Sequence, residues 1–170
     1  MKHLVTILFI AIPFLSICQS NNYDTLAPYL RTKKIPEFAI LDCNSNKSDS
    51  VWINNKSLPK DKPIVFVYFS PECSHCEYET EEIKKHMDSL HNATFVFVSY
   101  HPMEKIKAFY DKYDLGKYTN IVMGRDPKYY IPSFFRVEFT PFVAVYTPQG
   151  NFVKAYKQGA NITELISLVQ

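Results

Sequence analysis

Unbroken apolar runs alternate along the chain with segments whose apolar residues recur every three or four positions. Three of these runs occupy residues 64–69 (IVFVYF), 95–98 (FVFV) and 142–146 (FVAVY). The first two predict strands that are buried on both faces of a sheet, because neither run has a polar side. The third is followed by the turn sequence TPQGN and the run 152–156, so it predicts the first strand of a hairpin.

Helical spacing fills the intervals between these strands. Residues 74–90 carry small or apolar side chains at intervals of three and four, with acidic residues early and basic residues late, as the helix dipole favours. A second helix is predicted for residues 103–113. A last helix is predicted from Ile162, with Asn161 as its N-cap.

Weaker signals complete the pattern. Residues 121–123 predict a short strand or a loop, and residues 129–135 a helical turn that Pro132 interrupts. Ahead of the main sheet, residues 37–42 and 50–53 are extended pieces on either side of a polar loop, and they predict a hairpin. The order of elements therefore predicts an α/β domain with a mixed sheet, in which parallel strands come first and an antiparallel edge follows.

Length and charge narrow the class of protein. The chain has 170 residues and is 46% hydrophobic, which is enough for one compact domain, and we place this domain at residues 35–170. The formal net charge is +2, with charges of both signs interspersed. No nucleic acid or other polyanion is therefore expected as a partner.

The N-terminal residues differ from the rest and predict a signal peptide at residues 1–20. A short basic start precedes an apolar run over residues 4–17, which is shorter than the roughly 20 residues of a membrane-spanning helix. We expect export to the periplasm or cell envelope of a bacterium, as a soluble protein, with residues 21–34 as a flexible lead-in. The competing interpretation is a lipoprotein signal, in which Cys18 carries a lipid anchor.

Two cysteines, Cys73 and Cys76, stand where the first buried strand gives way to the first predicted helix. A thiol at the first turn of a helix meets the partial positive charge of unpaired backbone N–H groups, which favours the thiolate that attacks disulfides. We therefore predict dithiol–disulfide exchange, with Cys73 as the exposed nucleophile and Cys76 as the buried resolving thiol.

The cysteines also allow other interpretations. Cys73 and Cys76 fit an inert pair or half of a zinc site, although the sequence has no second Cys-x-x-Cys and no His-x-x-x-His. Cys43 has no obvious partner. We expect it to be a small buried hydrophobe, and the alternative is pairing with another protein or with the Cys73–Cys76 pair.

The order of elements and the motif FSPECSHC at residues 69–76 resemble the thioredoxin fold, and more narrowly the exported TlpA/ResA-type thiol–disulfide oxidoreductases. The Thr140-Pro141 step before the strand 142–146 and Gly150 in the following turn add to this resemblance. It implies a thioredoxin-like three-layer fold, with a mixed central sheet flanked by helices and an N-terminal β-hairpin extension.

Two residues near the cysteines receive redox-tuning roles. His75 stands where strongly oxidising members of the wider fold have histidine, and in its protonated form it stabilises the Cys73 thiolate; the alternative is an exposed histidine without a role. Glu79 falls on the same helix face as Cys76, and the resemblance supports proton exchange between the two. The alternative for Glu79 is an ordinary acidic residue near a helix start.

The resemblance further implies a substrate-binding loop opposite the cysteines. Pro141 is predicted to follow a cis peptide bond, and Thr140 to offer backbone hydrogen bonds to an extended substrate strand. These two assignments come from the family alone, since few X–Pro bonds in folded proteins are cis.

The function that these features predict is exchange of electrons with disulfides of substrate proteins, more as a reductase than as an oxidant. The partners are then protein thiols and disulfides and a membrane electron donor, with no cofactor beyond a redox-active Cys73–Cys76 disulfide and no bound metal. A copper-binding protein that uses both cysteines with His75 or His101 is an alternative. A thiol peroxidase is disfavoured, because Phe66 stands where peroxiredoxins have a proline.

Overall fold

The computed structural model describes residues 26–44 and 50–170. The predicted signal peptide at 1–20, with Cys18, lies outside the described residues, as does the start of the predicted lead-in at 21–25. In the described part of the chain, no helix is both long and apolar enough to cross a membrane.

A seven-stranded mixed sheet forms the middle layer, in the order β2-β1-β5-β4-β3-β6-β7. Strands β3, β4 and β5 are parallel, whereas β6, β7 and the β1–β2 hairpin join antiparallel, as the order of elements predicts. The strands are β1 (Ala39–Asp42), β2 (Trp52–Asn54), β3 (Ile64–Tyr68), β4 (Thr94–Ser99), β5 (Ile121–Arg125), β6 (Phe142–Tyr146) and β7 (Phe152–Tyr156).

Within the residues that the structure describes, six α-helices cover the two faces of this sheet. Four of them, α2, α3, α4 and α6, bury side chains in one core, and α1 and α5 bury theirs in the other. The predicted three-layer fold with an N-terminal hairpin is therefore confirmed. The helices are α1 (Pro28–Thr32), α2 (Ser74–Lys85), α3 (Met87–Leu90), α4 (Met103–Lys112), α5 (Tyr130–Phe135) and α6 (Ile162–Val169).

The side chains of β3 contribute to both cores, because successive side chains of a strand point to opposite faces of the sheet. Val65 and Val67 pack with the α2 and α4 side, whereas Phe66 and Tyr68 pack with the α5 side. All five residues of β3 are buried, as the unbroken apolar run predicts. The strand is thus held from both sides up to the point where the cysteine motif begins.

Two helices differ from the prediction. The segment 74–90 is not one helix, because His86 adopts φ −106° and ψ 16° and separates α2 from α3; Met87 beyond the break still packs into the same core. Pro132 does not interrupt α5. It is the third residue of that helix, within the first turn, where a backbone N–H has no partner inside the helix to lose.

Part of the predicted flexible lead-in is ordered. Residues 28–32 form α1, and Tyr29 is buried with its ring near those of Phe135, Phe142 and Phe152, at centroid distances of 5.5, 6.2 and 5.2 Å. The residues around Tyr29 show no helical repeat of apolar positions, so the sequence pattern gives little sign of a helix here. Tyr29, with the buried Ala27 just before the helix, attaches the segment to the core.

Candidate active site

The junction between β3 and α2 positions the two cysteines. Cys73 is the N-cap of α2, with extended backbone (φ −101°, ψ 117°), and its carbonyl accepts hydrogen bonds from the N–H groups of Cys76 and Glu77, each at 3.0 Å. Its own N–H donates to the carbonyl of Ser70 at 3.2 Å. The Cys73 sulfur therefore lies at the positive end of a twelve-residue helix, as the sequence predicts.

The two thiols have opposite surroundings. Cys73 is partly exposed, and its S–H donates to the backbone carbonyl of Thr140 at 3.5 Å. Cys76 is 1% exposed, and its sulfur accepts a hydrogen bond from the backbone N–H of Ser70 at 3.5 Å. Cys73 is therefore the more accessible thiol of the pair and Cys76 the buried one, and their roles as nucleophile and resolving thiol stay predictions.

These surroundings separate the acidities of the thiols. Partial burial acts to raise the pKa of Cys73, but hydrogen bonds from the Thr140 side chain and from backbone N–H groups of the first helical turn outweigh it, so the pKa lies below the ordinary 9.0. Burial raises the pKa of Cys76 to about 12. At neutral pH, Cys73 is thus the better nucleophile, and Cys76 stays protonated until a partner activates it.

The loop opposite the cysteines contains the predicted cis peptide bond between Thr140 and Pro141. Next to it lies a cavity of about 250 Å³, lined by His75, Phe139, Thr140 and Gln158. His75 is exposed and faces this cavity rather than the protein interior. The structure therefore brings His75 and Thr140 together beside Cys73.

Two residues of this cavity were not singled out from the sequence. Phe139 is 56% exposed, an unusual position for a large aromatic side chain, and Gln158 approaches from the segment after β7. The only sequence signal for Phe139 is its place next to Thr140. Gln158 gives no signal, because its position depends on how β6 and β7 pair.

Glu79 is buried on the inner face of α2, one turn beyond Cys76. It is 5% exposed, and its carboxylate accepts hydrogen bonds from the backbone N–H of Ala160 at 3.1 and 3.2 Å. Burial is the main reason that its pKa rises to about 7; the nearby charge of Glu82 raises it further, and the bond from Ala160 opposes the rise. A carboxyl with this pKa can both accept and release a proton near neutral pH.

Gly159 makes room for the Glu79 carboxylate. A Cβ at this position would lie 2.9 Å from Glu79 Oε2, and the residue has a φ of +91°, which L side chains rarely adopt. The missing side chain thus lets the carboxylate reach the N–H of Ala160. The sequence does not indicate that this glycine packs against α2, because Gly159 and Glu79 are 80 residues apart along the chain.

Cys43 lies apart from the pair. It is 1% exposed in the core beneath α2 and α4, and burial raises the pKa of its thiol to about 12. Its N–H donates to the carbonyl of Met123 in β5. The expectation of a small buried hydrophobe is therefore confirmed.

Among the residues that the structure describes, no group of three or more His, Cys, Asp or Glu side chains is placed to hold a metal ion. The copper alternative would need such a group, made from both cysteines and either His75 or His101.

Comparisons with known proteins agree with this fold. A family model described as thioredoxin-like domain matches residues 55–170. Comparison with curated protein sequences finds no match. At low sequence identity, several solved structures share the fold.

One similar structure is a secreted disulfide oxidoreductase of Mycobacterium tuberculosis, described as homologous to DsbE of E. coli; it is 21% identical, with 77% of this chain and 92% of that chain covered and a TM-score of 0.59. DsbF of M. tuberculosis is 22% identical, and the match covers 78% of this chain and 95% of DsbF with a TM-score of 0.63. The peroxidoxin BcpB of M. tuberculosis is 12% identical, with 79% and 92% covered and a TM-score of 0.64. At these identities the likeness concerns the fold.

The separated thiol acidities lead to a labelling prediction. In the reduced native protein, a short pulse of iodoacetamide is expected to modify Cys73 with a midpoint below pH 9.0, while Cys76 and Cys43 stay unmodified because they are buried. Mass spectrometry of peptides after the pulse identifies the modified residues. In guanidinium chloride all three thiols should react, and equal labelling of Cys73 and Cys76 in the native state would contradict the assignment.

The raised pKa of Glu79 leads to a prediction on stability. Between about pH 4.5 and pH 7 the folded protein keeps a proton on Glu79 that the unfolded chain releases, so stability falls as the pH rises through this window. Between these two pH values, the free energy of unfolding of the wild type should fall on the order of 3 kcal/mol more than that of Glu79→Gln, as measured by urea denaturation. Glu81→Gln, on the exposed side of the same helix, serves as the matched control. Parallel pH curves for wild type and Glu79→Gln would disprove the shift.

Proposed function

We propose that this chain, which belongs to the thioredoxin-like domain family, is an exported thiol–disulfide oxidoreductase that acts through Cys73 and Cys76. One observation carries the proposal most directly: a partly exposed thiol with a lowered pKa stands at a helix N-terminus, one turn from a buried thiol. This arrangement is what dithiol–disulfide exchange requires of a nucleophile and a resolving thiol.

In the first step of the proposed reaction, the Cys73 thiolate attacks one sulfur of a client disulfide. A bond forms between Cys73 and that sulfur, the client S–S bond breaks, and the other client sulfur leaves as a thiolate that takes up a proton. The helix N-terminus and the hydrogen bonds around Cys73 favour its charged form before the attack.

In the second step, the Cys76 sulfur attacks Cys73 and releases the remaining client sulfur. The Cys73–Cys76 disulfide forms, and the electron pair that the two thiols have given up now reduces the client. Cys76 must first lose its proton, against a pKa of about 12. We assign Glu79 as the acceptor of this proton, because it is a buried carboxyl with a pKa near 7, one turn away on the same helix face.

The loop at Thr140 is our proposed contact for the client backbone. Its carbonyl already accepts the S–H of Cys73, so an extended segment beside it lies within reach of the nucleophile. Backbone pairing of this kind binds many sequences, since it uses no side chain of the client. The cavity between His75 and Phe139 then accommodates a client side chain next to the reacting cysteine.

Reduction of substrates, rather than their oxidation, is the direction that we propose, with electrons from a membrane donor. An exported dithiol meets no glutathione pool, so it needs a dedicated source of electrons to remain reduced. The apolar N-terminal segment supports export, and a similar structure is described as secreted. Soluble export and a lipid anchor at Cys18 stay alternatives that mass determination of the mature protein can separate.

Replacement of the nucleophile tests the enzymatic proposal. Cys73→Ser is expected to abolish reduction of insulin disulfides in the presence of dithiothreitol, because no mixed disulfide can form. Turbidity from the precipitating insulin chains reports the rate. Cys43→Ser, which changes a buried thiol outside the site, should retain the activity. Activity in Cys73→Ser equal to that of the wild type would refute the proposal.

The direction of electron flow is tested by the equilibrium potential of the pair, measured in a dithiothreitol or glutathione redox series. We expect a value near that of thioredoxin, about −270 mV. A value near about −120 mV would instead indicate an oxidant and would overturn the reductase assignment, while leaving dithiol exchange in place. The protein with Cys43→Ser is the suitable sample, because it leaves one pair of described thiols to titrate.

A further inference from the structure

Ser70 touches both cysteines through its backbone. Its N–H donates to the Cys76 sulfur at 3.5 Å, and its carbonyl accepts the N–H of Cys73 at 3.2 Å. The residue lies in the connection between β3 and α2, two positions after the strand ends at Tyr68. The direction of the Ser70 peptide therefore decides whether its N–H reaches the buried sulfur.

The Ser70 side chain is held by His101 from a different loop. The Ser70 hydroxyl and Nε2 of His101 share a hydrogen bond of 3.2 Å. Sheet register explains this contact. Tyr68 pairs with Val98 in the parallel β3–β4 ladder, so the loops that follow the two strands begin at the same end of the sheet. The two residues thus tie the cysteine loop to the loop that follows β4.

His101 is itself fixed on its own loop. Its N–H approaches the hydroxyl of the buried Ser99 at 3.4 Å, and its ring lies 4.6 Å from that of Tyr100. The carbonyl of Tyr100 accepts a hydrogen bond from Nε of Arg125 in β5, at 3.3 Å. A chain of contacts consequently runs from β5 through His101 to Ser70 and ends on the Cys76 sulfur.

We propose that Ser70 and His101 are positioning residues for the resolving step, which together keep the Ser70 N–H directed at the sulfur of Cys76. This inference rests on the proposed function and assigns it two further residues. The hydrogen bond of 3.5 Å has an ordinary length for a sulfur acceptor, and hydrogen bonds weaken steeply as their angle bends. A small rotation of the Ser70 peptide is therefore enough to lose it.

The N–H matters most as Cys76 becomes a thiolate. A hydrogen bond to the charged form lowers the cost of ionising a buried thiol, and the Ser70 N–H is the largest influence that lowers the pKa of Cys76. In the resolving step Cys76 gives up its proton, its sulfur bonds to Cys73, and the Cys73–client bond breaks with its electron pair on the client sulfur. The first step, in which Cys73 attacks, does not use this N–H.

Ellman's reagent separates the two steps in the full-length protein. Attack by Cys73 on the reagent disulfide releases a first thionitrobenzoate and leaves the second on Cys73, and attack by Cys76 then releases that second one. Ser70→Ala and His101→Ala are each expected to slow the second release at least about fivefold, as for loss of one hydrogen bond. The first release should stay within about twofold of the wild type.

Two further results distinguish positioning from a general loss of structure. Ser70→Thr keeps a hydroxyl and should restore the second release, and the double variant Ser70→Ala/His101→Ala should be no slower than the slower single variant, because both remove the same bond. Ser167→Ala and His91→Ala are matched controls. Their side chains bond carbonyls within their own helical turns, so both releases should stay at wild-type rates.

Each outcome decides the inference. Unchanged second release in both single variants, or equal slowing of both releases, overturns the positioning role while leaving dithiol exchange intact. A wild-type protein that releases only one thionitrobenzoate overturns the proposed function itself, and the inference with it. Slowing of the second release alone, with rescue by Ser70→Thr, supports it.

Discussion

The turn from β3 into α2 is the constraint on which the candidate site depends. Because Cys73 caps the helix, its sulfur stays outside the helical hydrogen-bond pattern, near solvent and the positive end of the dipole. Three residues later the same helix has entered the core, so Cys76 loses its contact with water. This change of backbone direction, together with the hydrogen bond from the Thr140 side chain to Cys73, gives two chemically identical side chains different acidities.

Burial alone does not mark a functional residue in this molecule. Cys43 and Cys76 are equally buried, and the pKa of each thiol rises to about 12. Cys76 has a second thiol and the N–H of Ser70 beside it, whereas Cys43 packs in the core with the charges of Asp42, Lys107 and Asp111 nearby. Glu79 differs again, because burial raises the pKa of its carboxyl to about 7, so this group can exchange a proton near neutral pH. The distinction comes from neighbours rather than from solvent exclusion.

The features that the sequence predicts well are local ones. Strand 142–146 and the start of α6 at Ile162 agree residue for residue, because an apolar run or an N-cap carries its own signal. The cysteine pair belongs to the same class. Helix α1 could not be predicted, since it forms around the single buried ring of Tyr29. The Ser70–His101 contact joins residues from two loops, so it follows from sheet register and not from any short motif.

Gly159 links two distant parts of the chain in a way that bears on how such a site changes during evolution. The carboxylate of Glu79 occupies the space that any side chain at position 159 would need. A shorter residue at 79 would relieve the crowding at 159, but the φ of +91° would still disfavour any L side chain at that position. Backbone conformation and the space taken by the carboxylate thus both require glycine at 159, so tolerance to substitution in this pair is expected at position 79 rather than at position 159.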